Sequence, residues 1–457
     1  MIERLARLRA DLAGLELKDD EATLALYAHD ESDVGDFLPA LVAFPRSTAE
    51  VQVIVRACNS RDVPLTPVGA RSGKSGGSLP VKGGVSMSLE RLDRILEVRA
   101  ADLTATVQPG VILETFQKAV DEAGLFYPPD PNSAAVCTLG GNVAENAGGP
   151  RALKYGVTRD YVLGLEWVLP TGELLRVGHR TIKGVAGYDL VGLFVGSEGT
   201  LGVATEITLK LLPRPAAVMT ALVSFRSVVE AAEAVSQVLL GGTLPRCLEL
   251  IDDVAIAAID GQGFRFPSGA GACLIVEVDG PSDEVALAEL SKVAERCTAQ
   301  GAQETLLAMD RDQRERLWAV RRLISPALRA LKHFKVSEDI VVPRSRIPEA
   351  VDRFKRVGRD LGLTVATYGH AGDGNLHANV LYSGPHERPL VERALEAIMQ
   401  ITVDLGGTIT GEHGVGLSKR RFLSLEQSKA VIDVQRRLKV LLDPQVVMNP
   451  GKIFPDQ

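Results

Sequence analysis

The stretch TPVGARSGKSGGSLP, residues 66–80, decides what kind of fold this is, because its centre looks like the phosphate loop of an ATPase. That loop reads G-x-x-x-x-G-K-[ST] and its last residues open a helix facing the phosphates. Aligned on Gly73-Lys74-Ser75, the first glycine of the pattern falls on Val68, and the run Ser75 to Pro80 is rich in helix breakers. The ATPase reading fails on both counts. What is left is a loop whose consecutive backbone N–H groups from Gly69 onward can form a concave nest, with Arg71 and Lys74 adding positive charge. It suits a phosphate other than that of a nucleoside triphosphate at a helix start.

The rest of the chain narrows the choice. Its 457 residues exceed a single simple core and predict two or three domains. A hydrophobic content of 46% and a charged content of 24% are those of a soluble globular protein. The net charge of −7 argues against nucleic-acid binding as the main task. The opening MIERLARLRADLAGLEL predicts an amphipathic helix instead of a secretory signal, and no apolar run has the length of a membrane span. Five scattered cysteines without a C-x-x-C pair fit a reducing cytosol and supply no ligand set for an iron–sulfur cluster or structural zinc. Glycines cluster at 69–84, 140–149, 184–202, 369–374 and 406–416, which suggests backbone brought close to a large ligand at several points.

Periodicity predicts an α+β organisation. An N-capped helix and a short strand fill 48–65, and β-like runs then alternate with glycine-rich loops and a helix near LETFQKAVDEAGL, ending the first domain at about 215. From AVMTALVSF onward, strands and helices alternate as in an antiparallel sheet with helices packed on one face. A basic helix is expected over 311–333, another over 347–361, strands near 363–370 and 375–382, and a tail from 406 with a helix near 425–442. The boundaries drawn are 1–215, 216–405 and 406–457.

The sharpest chemical signal is YGHAGDGNLHAN, residues 368–379. A two-residue Asp373-Gly374 turn would set His370 directly opposite His377, with Asn379 on the same face. A second signal, GTITGEHGVGLSK at 407–419, sets Glu412-His413 between glycines. Two imidazoles and a carboxylate make a common open metal site, so His370, His377 and Glu412 are candidate ligands for Zn²⁺ or Mn²⁺, leaving His413 as a base. A histidine pair in a hairpin is more often a surface feature, and Arg321 alone reads as a salt-bridged helix residue.

Taken together, PVGARSGKSGGSLP, PPDPNSAAVCTLGGNVAENAGGPRALKYGVTRDYVLGLEWVLPTGELL, KGVAGYDLVGLFVGSEGTLGVATEITLKL, YGHAGDGNLHANV, GEHGVGLSKR and NPGKIF resemble the flavin-dependent D-2-hydroxyacid dehydrogenases, a group with glycolate oxidase flavoprotein subunits, D-lactate dehydrogenases and D-2-hydroxyglutarate dehydrogenases in the vanillyl-alcohol oxidase/p-cresol methylhydroxylase superfamily. The resemblance runs from about residue 38 to the C-terminus. It implies a two-lobed FAD-binding domain of the p-cresol methylhydroxylase type, a cap domain over the substrate, and a C-terminal segment returning to the FAD domain. FAD would be wrapped by Pro67, Val68, Gly69, Ala70, Arg71, Ser72 and Gly73, with Ser78, Pro131, Thr138, Gly141, Asn142, Gly148, Gly149, Tyr155, Gly156, Gly199, Val203 and Asn449 lining the remainder. His370, His377 and Glu412 would hold the metal, His413 would be the base, Arg321 in its W-x-x-R setting would clamp the substrate carboxylate, and Asn379 would join them. No histidine lies in 67–80, so the flavin is expected to be noncovalent. A lysine that contacts the substrate in some dicarboxylate-oxidising relatives falls near Ser337, with Lys335 offset, which favours a small acid such as lactate or glycolate. The expected partners are that acid and a separate electron acceptor, a quinone, an electron-transfer flavoprotein or an iron–sulfur subunit, with a homodimer allowed. The expected location is the cytoplasm or the inner face of a membrane. The alternatives are an oxidase of another alcohol and the flavoprotein subunit of a multi-subunit glycolate oxidase.

Overall fold

The fold is described from a computed structural model over residues 2–262 and 264–456. Two compact units emerge: residues 1–147, 157–214 and 412–457 form one, and residues 148–156 and 215–411 form the other. The breaks thus follow Arg214 and Gly411, and the segment Gly148–Gly156, read from sequence as part of the first domain, groups with the second unit.

The first unit has two larger sheets and a two-stranded pair, Leu125–Phe126 with Leu212–Pro213. In the smaller of the two larger sheets, the order is Leu17–Lys18, Leu41–Ala43, Val85–Ser88, Leu65–Val68, and the last three strands run parallel. Helix Thr48–Arg61 connects two of them; it starts where the Ser47 hydroxyl accepts the Glu50 N–H and buries Val51, Ile54, Val55 and Cys58. The second sheet is antiparallel, in the order Ile95–Arg99, Thr104–Val107, Val203–Lys210, Val162–Val168, Leu174–Gly178. The phosphate-suited loop leaves the end of strand Leu65–Val68 with no helix behind it, which is the physical difference from an ATPase loop.

The second unit is built on seven antiparallel strands in the order Glu304–Ala308, Ala217–Phe225, Ala272–Gly280, Cys247–Asp252, Thr364–His370, Asn375–Tyr382, Phe334–Val341. Helices cover it in two layers, where the sequence predicts one. Ala366 and Tyr368 join the core under helix Arg311–Lys332, while Val365, on the opposite face, meets Gly358 of helix Ile347–Leu361. Strand Asn375–Tyr382 is accordingly buried at every residue, so its sequence carries no alternation to mark a bare face. Among the helices that escape the sequence reading are Leu139–Glu145 and Arg388–Asp404. The first contains two adjacent glycines, Gly140 and Gly141, which lower helix propensity.

Candidate functional site

In the first unit, the loop after Val68 meets the start of helix Leu139–Glu145. A Cβ on Gly69 would lie 2.6 Å from the Thr138 hydroxyl, and that hydroxyl caps the helix by accepting the Gly141 N–H at 3.2 Å. A Cβ on Gly199 would lie 3.0 Å from the Pro67 ring and 3.7 Å from the Asn449 amide. Asn449 donates to the carbonyls of Gly77 and Glu198 at 2.9 and 2.8 Å, so the C-terminal segment ties the loop in place. Pro67, Gly69, Thr138, Gly141, Gly199 and Asn449 are therefore brought together. Val68 and Val203 are buried strand residues beside them, at 1% and 2% exposure.

Other expected cofactor residues have occupations of their own. Arg71, in a left-handed conformation, lays its guanidinium over the Tyr27 ring at 4.4 Å, and Lys74 is exposed. The Ser78 hydroxyl donates to Asp30, the Gly73 carbonyl accepts from Glu31, and the Pro131 carbonyl accepts from Ala134. Ala70 and Ser72 are half-buried in the loop. Gly148, Gly149, Tyr155 and Gly156 lie in the segment that groups with the second unit, where the Tyr155 hydroxyl donates to Asp279 at 2.7 Å. FAD fits the first unit on two observations. The glycines at 69 and 199 permit close backbone approaches where a Cβ would crowd Thr138 and Pro67, and the Asn142 amide nitrogen and the Ser75 and Ser197 hydroxyls are buried without a hydrogen-bond partner among the described residues.

Behind the loop sit charges that sequence reasoning missed. Glu198, at a φ of 52°, accepts the N–H groups of Val415 and Gly416 at 2.8 and 2.7 Å and so holds the chain just after His413. Burial, with Glu198 and Asp30 nearby, pushes the Glu145 carboxyl well above its ordinary range; burial raises that of Glu198 as well. Burial also depresses the Lys452 ammonium to about 8, against the opposing pull of Asp30 and Glu198.

In the second unit, the hairpin differs from the two-residue turn predicted. Four residues, Ala371 to Gly374, make the turn, closed by the Gly374 N–H on the His370 carbonyl at 3.1 Å. His370 is opposite Asn375, and His377 is opposite Tyr368. The register moves by two residues, so the face is kept, and the imidazole centroids stand 5.4 Å apart. Asn379 shares that face, wholly buried, with its amide oxygen lacking a partner among the described residues. Asp339 accepts from Asn375, Thr410 and the Gly411 N–H, fixing the chain that leads into Glu412. The donor atoms of His370, His377 and Glu412 lie within 4.8 Å of one another. Two imidazoles and a carboxylate at that spacing suit a divalent cation. His413 is next in sequence, its Nε2 3.9 Å from the Glu412 carboxylate.

Helix Arg311–Lys332 begins where Asp310 accepts the Gln313 N–H. It lowers two side chains one turn apart onto buried carboxylates: Trp318 Nε1 donates to Glu277 at 2.8 Å and Arg321 Nε to Glu249 at 2.7 Å. Arg321 is therefore a buried residue, 3% exposed, and its Nη2 has no partner among the described residues. Burial tends to raise the Glu249 carboxyl, but its pairing with His370 and Arg321 outweighs that and holds it below the ordinary carboxylate range. Glu249 was not foreseen; the available signal was an acid set between two leucines in CLELID.

Comparison with known proteins agrees with this architecture. Residues 39–178 match the FAD binding domain, and residues 214–453 match the C-terminal domain of the FAD linked oxidases. The glycolate oxidase subunit GlcD of Bacillus subtilis is 40% identical over 95% of this chain and 93% of its own. A D-lactate dehydrogenase of Anaerostipes hadrus is 34% identical over 99% of this chain and 97% of its own. The solved structure of p-cresol methylhydroxylase with substrate bound superposes with a TM-score of 0.80 at 17% identity, covering 100% of this chain and 97% of the other, a likeness of fold. No helix among the described residues is long and apolar enough to cross a membrane. A flavin cradle of glycines and buried donors, an antiparallel seven-stranded sheet and matches along nearly the whole length lead to one conclusion: the chain belongs to the FAD-linked oxidases, a family of FAD-dependent oxidoreductases.

Proposed function

We propose that this protein oxidises a small D-2-hydroxy acid, with D-lactate or glycolate favoured, to the 2-oxo acid, using noncovalent FAD and a divalent cation, Zn²⁺ or Mn²⁺. The observation that carries the reading is the convergence of His370, His377 and Glu412 within 4.8 Å. The relatives, a glycolate oxidase subunit and a D-lactate dehydrogenase, support the substrate class.

When bound, FAD supplies the two-electron sink that takes the substrate hydrogen as hydride. A cation held by His370, His377 and Glu412 would supply a Lewis acid for the substrate hydroxyl. The chain's own residues do the rest. Arg321, with Nε committed to Glu249 and Nη2 unpartnered, takes the substrate carboxylate in a charge-assisted pair. His413 receives the hydroxyl proton at its imidazole. Asn379 offers its buried amide oxygen as an acceptor that orients the substrate. Ser337 stands opposite Asn379, where a dicarboxylate reader would need a cation, and the Lys335 ammonium is drawn to the Ser325 hydroxyl at 2.7 Å, so a small acid suits the site best.

The five cysteines are buried and outside any disulfide among the described residues, and burial pushes the thiols of Cys58, Cys273 and Cys297 up to about 12. The acceptor in this reading is separate: a quinone, an electron-transfer flavoprotein or an iron–sulfur subunit. A role as the flavoprotein subunit of a larger complex is favoured by the Bacillus relative, itself a glycolate oxidase subunit, and the location in this reading is the cytoplasm or the inner face of a membrane. The test is anaerobic bleaching of the flavin absorbance with D- and L-lactate, glycolate, D-2-hydroxyglutarate, D-malate and simple alcohols. Bleaching by D-lactate or glycolate is expected; bleaching by a simple alcohol alone would overturn the substrate class.

A further inference from the structure

Glu249 lies in the middle of a strand of the seven-stranded sheet, has no exposed surface, and is held by a base on each side. Its Oε2 accepts from Arg321 Nε at 2.7 Å, and its Oε1 pairs with His370 Nδ1 at 2.5 Å. The second bond is a direct cross-strand pair, since Glu249 and His370 are opposite each other in the ladder. The first depends on the roll of helix Arg311–Lys332, which Trp318 fixes one turn earlier by its own bond to Glu277. A carboxylate can only accept, so His370 carries its proton on Nδ1 and presents Nε2 as the lone pair. The same carboxylate occupies one edge of the Arg321 fork and leaves Nη2 for another oxyanion.

We propose that Glu249 is a positioning residue that couples the cation-binding imidazole to the substrate-binding guanidinium, setting the tautomer of His370 and the orientation of Arg321 with one side chain. The inference rests on the function proposed above and deepens it. Glutamine cannot replace it. An amide has one acceptor and one donor end, so it either turns its NH₂ toward Arg321 or donates to His370 Nδ1, which forces the proton onto Nε2 and removes the lone pair.

The experiment uses the FAD-loaded full chain with Glu249→Gln, Glu249→Asp and Glu277→Gln, measuring Zn²⁺ and Mn²⁺ affinity by competition with a chelator, flavin content, and kcat and KM for flavin reduction. Glu249→Gln is expected to bind the cation about 10- to 100-fold more weakly with unchanged flavin content, and at saturating cation to show a raised KM. Glu249→Asp keeps the charge but is one methylene shorter, cannot span both partners, and must lose one of the two functions; it serves if the glutamine variant does not fold. Glu277→Gln loosens the same helix and should leave cation affinity unchanged. Wild-type cation affinity in both Glu249 variants, with only a lower Tm, overturns this inference and leaves the proposed function standing. Wild-type protein that binds neither cation overturns both.

Discussion

Replacing Asn449 with Ala removes a side chain that joins the C-terminal segment to two loops of the FAD-binding unit. Its amide donates to the buried carbonyls of Gly77 and Glu198 at 2.9 and 2.8 Å. Each bond is worth about 1 kcal/mol net, and leaving both carbonyls without a donor raises the total to about 3 kcal/mol. If that loss falls on the flavin-bound state, FAD affinity drops about 100-fold. If it falls on folding, the Tm drops by about 6–12 °C. The backbone at 449 has a φ of 43°, where Ala adds about 1 kcal/mol of its own, so Asn449→Gly isolates the side-chain contribution. The assay is flavin retained through gel filtration, together with Tm measured with and without added FAD. An Asn449→Gly protein that keeps its flavin and its Tm would show that the segment does not secure the loop.

Chelation should abolish flavin reduction by substrate, and Zn²⁺ or Mn²⁺ should restore it; a fully stripped enzyme that is reduced normally removes the cation from the mechanism. His413→Asn should retain flavin and metal yet slow reduction by about 10²- to 10⁴-fold, read by stopped-flow absorbance, whereas an unchanged rate excludes it as the base. Lys452 is depressed to about 8 in the folded protein from an ordinary 10.5, so the unfolded chain binds the extra proton between those values. Stability contributed through this residue therefore rises with pH across that window, by up to about 3 kcal/mol. Denaturation midpoints of wild type minus those of Lys452→Met should climb from pH 8 to 10; a flat difference contradicts the assigned burial.

Much of the second unit was legible because its helices carry their own start signals and periodicity, as Ile347–Leu361 does with Pro348 in its first turn. The hairpin shows the limit. Asp-Gly invites a two-residue turn, but the closure chosen was a bond from Gly374 back to His370, an energetic preference among neighbouring turn lengths that local composition does not encode. The histidines nonetheless stayed on one face, since a shift of two residues preserves parity. Arg321 was unreadable for a different reason: a basic helix face looks solvated until its carboxylate, 72 positions earlier, is known to be buried beneath it. The same holds for Gly148–Gly156, whose grouping with the second unit depends on Asp279, 124 residues beyond Tyr155.

The tie between Gly77 and Asn449 spans 372 residues, and it bears on how the protein is made. At roughly 5–20 residues per second, the ribosome needs about 20–75 s to travel between the two ends of that bond. During this time strand Leu65–Val68 waits for Val447 and Met448, which bond and bridge to Leu65, while residues 215–411 can fold as they emerge. Flavin capture by the finished loop is then a late event in biosynthesis. A chain cut short before Asn449 would leave the ribosome with an intact second unit and an unfastened cofactor loop, so the bound flavin itself reports that synthesis has run past this residue.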